Sequence, residues 1–213
     1  MTLRLLIVED DDFTRTTLAS ALESHGMEIV ATTSGSHEAV KAGIVFEFDV
    51  AVLDLDLGPG PTGIDIAHGL RRTKPHVGIV LLTSFVDPRL LSSSLSELPT
   101  GSAYVVKQSL NSMELLTAAI EGAAHLAGGG VPDTSATGLT DAQIDTLRLL
   151  AAGLSNAEIA RVRVVAEKSV EQAIARTAKR LGISTAPDQN QRVALAREYF
   201  RLTGMARHAR TRN

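Results

Sequence analysis

Short apolar runs alternate with amphipathic helical patterns over the first 125 residues of the chain. The runs are rich in Leu, Ile and Val and end at polar or Gly/Pro-containing sequence, as buried strands do. They occupy residues 3–8, 27–31, 50–53, 77–82 and 103–106. Helical patterns occupy 13–22, 36–46, 64–72 and 111–125, with a weaker, Ser-rich helix after Pro88. Five consecutive βα units predict an α/β fold with a five-stranded, doubly wound parallel sheet.

Composition is consistent with two packed domains in 213 residues. Apolar residues make up 44% and aromatic residues 3%, so the cores are expected to be aliphatic. There is no cysteine, which excludes disulfides and thiolate metal sites. The apolar N-terminal stretch ends at Glu9 and is too short for a signal peptide, and no later stretch matches a membrane span. We therefore expect a cytoplasmic protein with no membrane partner.

Charge is distributed unevenly along the chain. Residues 1–138 carry 8 basic and 17 acidic side chains, a net charge of −9, whereas residues 139–213 carry 13 and 7, a net charge of +6. An acidic half joined to a basic half is typical of a regulatory domain fused to a nucleic-acid-binding domain. A basic surface that is merely solvated is the alternative interpretation.

Polar residues stand at the carboxyl ends of four predicted strands. They are Glu9 and Asp10, Asp54, Thr83, and Lys107. Ligands of open α/β sheets bind outside the carboxyl ends of the strands, so these side chains are expected at one edge. Converging carboxylates require a counter-charge, and oxygen ligands favour Mg²⁺ or Mn²⁺. A hydroxyl and an ammonium group suit a phosphoryl group. Taken alone, Asp54 could instead simply begin a turn.

The residues after position 138 have the pattern of a small helical domain. Residues 127–138, AGGGVPDTSATG, are rich in Gly and small polar residues and are predicted to form a flexible linker. Helices are expected after the N-caps Thr140 and Ser155, then over 167–181 and 191–203. A short helix, a tight turn and a longer cationic helix predict a helix-turn-helix, with the polar stripe of the longer helix suited to DNA or merely to solvent.

Motifs in both halves resemble those of a bacterial family. The strand-end sequences IVED, VLDLD, LLTS and YVVK resemble the receiver domain of two-component response regulators over residues 1–126. The string from LTDAQ to KRLGI resembles the LuxR/NarL-type DNA-binding domain, here assigned to residues 139–205, with a basic tail at 206–213. The resemblance implies a flavodoxin-like receiver followed by an all-α, four-helix helix-turn-helix domain.

The receiver resemblance implies roles for the strand-end residues. Asp54 would accept a phosphoryl group from a cognate sensor histidine kinase in a Mg²⁺-dependent transfer. The implied metal ligands are Glu9, Asp10, Asp54 and the carbonyl group of Asp56. The implied phosphoryl-binding and switch residues are Thr83, Lys107 and Tyr104.

The second resemblance implies a transcription factor and not an enzyme. Phosphorylation would favour a homodimer bound to promoter DNA, with Val193, Leu195 and Ala196 at the dimer contact. The implied DNA-binding residues are Lys168, Ser169, Glu171, Gln172, Arg176 and Lys179. Glu171 and Ala173 depart from the family pattern, and Ala166 lacks a capping hydroxyl. A degenerate DNA-binding output is therefore an alternative.

Two other functions fit part of the pattern. Asp54 and Asp56 have the spacing of the paired aspartates in haloacid-dehalogenase-type phosphatases, but that motif ordinarily lies near the first strand of its domain and leaves Glu9, Asp10 and the basic domain unexplained. An unphosphorylated, receiver-like interaction module is the other alternative. The complete set of Asp10, Asp54, Thr83 and Lys107 argues against it.

Overall fold

The computed structural model describes residues 2–92, 95, 97–109, 113–125, 137–183 and 190–204. The chain divides into two compact units. Unit 1 comprises Met1–Thr83 and Ser96–Asp133, and unit 2 comprises Ser84–Leu95 and Thr134–Asn213. The predicted boundaries placed Ser84–Leu95 with the first domain. Most of the predicted linker and all of the basic tail lie outside the described residues.

Unit 1 is the doubly wound α/β domain that the sequence predicts. Its strands are β1 (Arg4–Val8), β2 (Glu28–Thr33), β3 (Val50–Asp54), β4 (Gly78–Thr83) and β5 (Ala103–Val106). Its helices are α1 (Asp12–Ser24), α2 (Ser36–Val45), α3 (Gly63–Thr73) and α4 (Met113–Ala124). All paired strands are parallel, in the order β2-β1-β3-β4-β5. Strand order reverses at β1 and β3, where such sheets bind ligands.

The strand register brings the functional strand ends level with one another. Val8 pairs with Leu53 between β1 and β3, and Asp54 pairs with Leu82 between β3 and β4. Every residue of β3 and β4 is buried, which is why both read as unbroken apolar runs. Asp54 therefore lies at the carboxyl edge of the sheet, at the end of a strand that is packed on both faces.

The Ser-rich helix predicted after Pro88 is not formed in the described residues. That stretch contains one 3₁₀ turn, Pro88–Leu90, followed by the turn residue Leu91. Asp87 accepts a hydrogen bond from the backbone N–H of Arg89 and so caps the turn, but the helix does not continue. The prediction was wrong because Asp87 and Leu90 are buried within unit 2.

Unit 2 has the predicted four helices, α5 (Asp141–Ala151), α6 (Asn156–Arg163), α7 (Glu167–Arg180) and α8 (Gln191–Leu202). Thr140 and Ser155 each form a capping box with the side chain three residues later. Helix α5 packs against α7 and α8, and α6 packs against α7. Ala166 stands at the N-cap of α7 without a side-chain hydrogen bond, as its lack of a hydroxyl predicts.

No helix in the part of the chain that the structure describes combines the length and the apolar character needed to cross a lipid bilayer.

The turn between α6 and α7 holds a β-branched residue in an unfavourable conformation. Val164 has φ 53° and ψ 50°, the left-handed region, and is 89% exposed. It is the one non-glycine residue with positive φ in the described ranges. This conformation costs a β-branched residue roughly 1–2 kcal/mol, and an exposed side chain recovers little of that by packing.

Replacing Val164 with glycine is expected to stabilise unit 2. Relief of the backbone strain outweighs the added flexibility of the unfolded chain, so the free energy of unfolding should rise by about 1 kcal/mol. Urea unfolding measures the change. Val165→Gly, one residue further on and outside the left-handed region, is the control and should lower stability. Equal effects of the two substitutions would contradict the strain at Val164.

Candidate functional site

The carboxyl edge of the sheet holds a buried pair of carboxylates bridged by a lysine. Glu9 follows β1 and is 3% exposed, and Asp54 ends β3 and is 7% exposed. The Lys107 ammonium donates to Glu9 Oε2 at 2.7 Å and to Asp54 Oδ2 at 2.9 Å. Burial of a carboxylate is costly unless the carboxylate is paired. Lys107 therefore stabilises the burial of both Glu9 and Asp54.

A third carboxylate completes a cluster suited to a metal ion. Glu9, Asp10 and Asp54 each offer an oxygen, and the three ligand atoms lie within 4.8 Å of one another. Asp10 is exposed whereas the other two are buried, so the cluster opens to solvent on one side. An all-oxygen donor set with an open side fits Mg²⁺, which keeps several of its waters. The donor chemistry therefore fits the ion that the sequence implies.

The charges in the cluster perturb one another strongly. Burial raises the pKa of Glu9 to about 7, with a further increase from Asp54 and a partial offset by Lys107. Burial also raises the pKa of Asp54, and the Lys107 charge opposes that rise. Burial alone would lower the pKa of Lys107, but the attraction of Asp54 and Glu9 outweighs it and the pKa is raised. Below pH 7, Glu9 is therefore mostly protonated.

Thr83 and Tyr104 lie on the same face of the sheet. Thr83 ends β4 and is fully buried. It pairs with Val106, and Leu81 pairs with half-buried Tyr104, so the two-residue period of the strands places Thr83 and Tyr104 on the same side. Their roles as phosphoryl contact and switch residue remain predictions.

In the loop after β3, the Asp56 side chain forms a hydrogen bond with the backbone of the loop itself. Asp56 Oδ1 accepts from the backbone N–H of Gly58 at 3.3 Å. The Asp56 backbone N–H is 3.4 Å from Asp54 Oδ1, a contact at the long end of hydrogen bonding. Asp56 therefore contacts Asp54 through its backbone N–H. A paired-aspartate phosphatase would instead require its side chain.

Two residues that support the site were missed by sequence analysis. Arg15 donates through NH1 to the Glu9 carbonyl oxygen at 2.7 Å. This hydrogen bond holds the backbone in place at Glu9. Gly63 packs directly on the backbone of Asp54. A Cβ at position 63 would lie 2.1 Å from the Asp54 carbonyl oxygen. Direct contact of backbone with backbone leaves no signal beyond the glycine itself.

The predicted DNA-binding residues form an exposed face on α7. Lys168, Ser169, Glu171, Gln172, Arg176 and Lys179 are all exposed. The opposite stripe, Val170, Ile174, Thr177 and Ala178, is buried in unit 2. Gln172 Oε1 accepts from Arg176 NH2 at 3.0 Å, so two of the polar side chains are already ordered together.

One residue predicted to make the dimer contact is not available for it. Leu195 is fully buried in the core of unit 2, because it faces the other helices of that unit. Val193 is 47% exposed and Phe200 is 39% exposed. Their seven-residue spacing places both on the same side of α8.

Comparisons with known proteins define the class of this chain. Residues 5–120, more than half of it, match the family described as response regulator receiver domain. Residues 137–189 match bacterial regulatory proteins of the luxR family. The chain therefore belongs to the response regulators, with a receiver domain followed by a LuxR-type helix-turn-helix domain.

Among individual relatives, it is similar to the DNA-binding transcriptional activator DevR/DosR of Mycobacterium tuberculosis, with 29% identity over 84% of this chain and 88% of that protein. It is 25% identical to the oxygen regulatory protein NreC of Staphylococcus aureus, over 87% of this chain and 94% of that protein. The response regulator RcsB in a DNA complex shares the fold, with a TM-score of 0.58 at 20% identity, covering 95% of this chain and 99% of that one.

Substitution of Gly63 by alanine is expected to disturb the site. The new methyl group would overlap the Asp54 carbonyl, so the β3–α3 connection must shift and the free energy of unfolding should fall by about 1–3 kcal/mol. Mn²⁺ binding, followed by electron paramagnetic resonance, should weaken in parallel. Gly122→Ala in α4 is the control, since a Cβ there meets no atom within 4 Å and alanine favours the helix. Similar losses in both variants would contradict the role of Gly63.

The acidic cluster is expected to make stability depend on pH in the absence of metal. Between about pH 4.5 and 7 the folded chain keeps a proton on Glu9 that the unfolded chain releases. The stabilisation from this group is complete below pH 4.5 and is lost as the pH rises through 7. In EDTA, the free energy of unfolding of wild type minus that of Glu9→Gln should therefore fall between pH 5 and 8. A difference that does not change with pH would refute the assignment of the proton to Glu9.

Proposed function

We propose that this protein is a phosphorylation-controlled transcription factor whose phospho-acceptor is Asp54. The observation that carries the proposal is the pairing of buried Asp54 with Lys107 inside a cluster of three carboxylates. Burial of an acidic residue is costly, and such residues are typical of functional sites. A buried carboxylate next to a lysine and a cation site is suited to carry a phosphoryl group.

The transfer uses the Asp54 carboxylate as nucleophile. One Asp54 oxygen attacks the phosphorus of a phosphohistidine on the sensor kinase, opposite the imidazole nitrogen. The new P–O bond forms as the P–N bond breaks, and the electron pair of that bond remains on the imidazole. Lys107, kept charged by its two carboxylate partners, offsets the charge on the phosphoryl oxygens.

Glu9, Asp10, Asp54 and the backbone carbonyl of Asp56 are proposed to hold the Mg²⁺ ion. When bound, this ion would neutralise charge that builds up on the transferring group. Glu9 must lose its proton before it can act as a ligand. The residues of the chain therefore set the pH range in which the site can be loaded.

Thr83 is proposed to report the new charge to the rest of the protein. Phosphorylation adds nearly two negative charges at Asp54, and the Thr83 hydroxyl stands at the end of the neighbouring strand. Movement of Thr83 toward the phosphoryl oxygens would change the packing around Tyr104 on the same face.

The output is proposed to be DNA binding by a homodimer. Exposed Lys168, Arg176 and Lys179 on α7 supply positive charge for phosphates, and Glu171 could accept from a cytosine amine. Val193 and Phe200 on α8 offer an apolar stripe to a second copy. The proposed partners are promoter DNA and a sensor histidine kinase. The protein is proposed to act in the cytoplasm. The relative DevR/DosR is a DNA-binding transcriptional activator, and the structure of RcsB is that of a complex with DNA.

The phosphatase alternative has less support. One Asp56 carboxylate oxygen accepts a hydrogen bond from the Gly58 N–H, which is the ordinary contact of a turn-forming aspartate. The matched families and named relatives are regulators and not hydrolases.

Acetyl phosphate and Mg²⁺ test the proposed phosphorylation. Wild type should acquire one shifted band on a phosphate-affinity gel, and Asp54→Ala should acquire none. Only the phosphorylated wild type should gain retention of a random duplex DNA pool, and rising salt should weaken that binding. Asp65→Ala is the matched control, because Asp65 is an exposed carboxylate in the α3 capping box and not in the cluster. It should label normally. An unshifted wild type, or continuous release of phosphate, would overturn the proposal.

A further inference from the structure

Three exposed valines surround the turn that joins α6 to α7. Val162 is 60% exposed, Val164 is 89% exposed and Val165 is 40% exposed. We call these three residues the valine turn. Large apolar side chains are ordinarily exposed singly on a protein surface, whereas three within four consecutive positions form a small apolar patch. The patch directly precedes Ala166, the N-cap of α7. It therefore lies at the N-terminal end of the helix that carries the predicted DNA-binding residues.

Hydrogen bonds on both sides of Val164 hold the turn in one conformation. The Val165 backbone N–H donates to the Ala160 carbonyl of α6 at 3.0 Å. Arg163 NH1 donates to the hydroxyl of buried Thr146 on α5. The side chains of the valine turn are therefore presented to solvent by a fixed backbone, so little ordering is required when they bind another molecule.

Val164 keeps a strained backbone conformation although its side chain is not packed in the protein. A helix that ends in this way turns the chain with positive φ, and glycine or asparagine adopts that conformation at little cost. Val164 has φ 53° and is strained there, and its exposed side chain gains too little burial in unit 2 to offset the strain. Strained residues are often found at ligand-binding sites. The contact that offsets the strain is therefore expected with a molecule outside the chain.

The charges on α7 indicate which part of that helix suits phosphates and which part suits bases. Exposed Arg176 and Lys179 lie toward its C-terminal end, whereas its first five residues, 167–171, contain two glutamates and one lysine. Because phosphates are bound by cations, an N-terminal end of net negative charge suits base edges better. Recognition helices contact bases through their N-terminal residues. The apolar group that bases present in the major groove is the C5-methyl of thymine, which is the partner an exposed valine fits.

We propose that the valine turn reads thymine, through contact of the Val164 side chain with the C5-methyl group of a thymine base in the major groove. This inference rests on the proposed DNA binding by unit 2 and adds a base preference to it. Val162 and Val165 lie beside Val164 and exclude water from the contact. The binding of the methyl group offsets the backbone strain at Val164.

Uracil tests the contact, because deoxyuridine pairs as thymidine does but lacks the C5-methyl group. Binding sites are first selected from a random duplex DNA pool by wild-type protein with Mg²⁺ and acetyl phosphate. The selected half-sites should share a thymine at a fixed position. Replacement of that thymine by uracil should weaken binding in a gel-retardation titration about fourfold, the effect of one buried methyl group. Uracil in place of thymines outside the half-sites is the control and should leave the affinity unchanged.

Variants at position 164 separate base reading from folding. Val164→Asn suits positive φ and carries no methyl group, so it should be more stable than wild type and should bind the thymine and uracil sites equally. Val164→Thr keeps one methyl group and should retain a preference for thymine of about twofold. Val45→Asn, which removes a valine of unit 1 that is 71% exposed, is the control and should keep the wild-type preference. A loss of preference in a more stable protein is not explained by damage to the fold.

Three results overturn the reading of thymine and leave the proposed DNA binding intact. They are selected half-sites that share no thymine, equal affinity of wild type for the thymine and uracil sites, and an undiminished thymine preference in Val164→Asn. Each of them assigns the exposed valines to a partner other than a thymine base. If wild type retains no duplex at all, the proposed function fails, and the reading of thymine fails with it.

Discussion

Burial of two carboxylates at the ends of parallel strands is the constraint on which the functional edge of this protein depends. Glu9 and Asp54 are both buried at the edge of a sheet in which β3 is packed on both faces. The arrangement is tolerated because Lys107 contacts both of them and because burial raises the pKa of Glu9 to about 7, so that Glu9 can be neutral. The charge of the cluster therefore depends on the protonation of Glu9 and on the Lys107 ammonium group.

Much of unit 1 was predictable because its local signals agree with its global fold. Apolar runs gave the strands, and the residue types at their ends gave the cluster of Glu9, Asp10, Asp54 and Lys107. The contribution of Gly63 was not predictable, because a backbone contact between β3 and the start of α3 has no periodic signature. The assignment of Thr83 and Tyr104 to one face follows from strand register, which only the structure shows.

Unit 2 shows where local signals mislead. The capping residues Thr140 and Ser155 begin α5 and α6 as predicted, since their bonds involve neighbours in sequence. Leu195 was assigned to the dimer contact but is buried, because helical periodicity alone does not reveal which neighbour covers an apolar side chain. The helix expected after Pro88 failed for a related reason. Its cap, Asp87, is held by neighbouring Arg89 and by Thr137, which is 50 residues away in sequence, and these contacts outweigh its weak helical continuation.

The inclusion of Ser84–Leu95 in unit 2 makes that unit discontinuous in sequence. A fragment that starts at Thr134 would contain α5 to α8 but would lack Val86 and Arg89, which donate hydrogen bonds to the carbonyl oxygens of Leu202 and Leu139. Such a fragment exposes surface that is covered in the whole chain, and its solubility and self-association would reflect that exposure. Experiments that cut the protein between its two sequence families would thus report on a surface the intact molecule does not present.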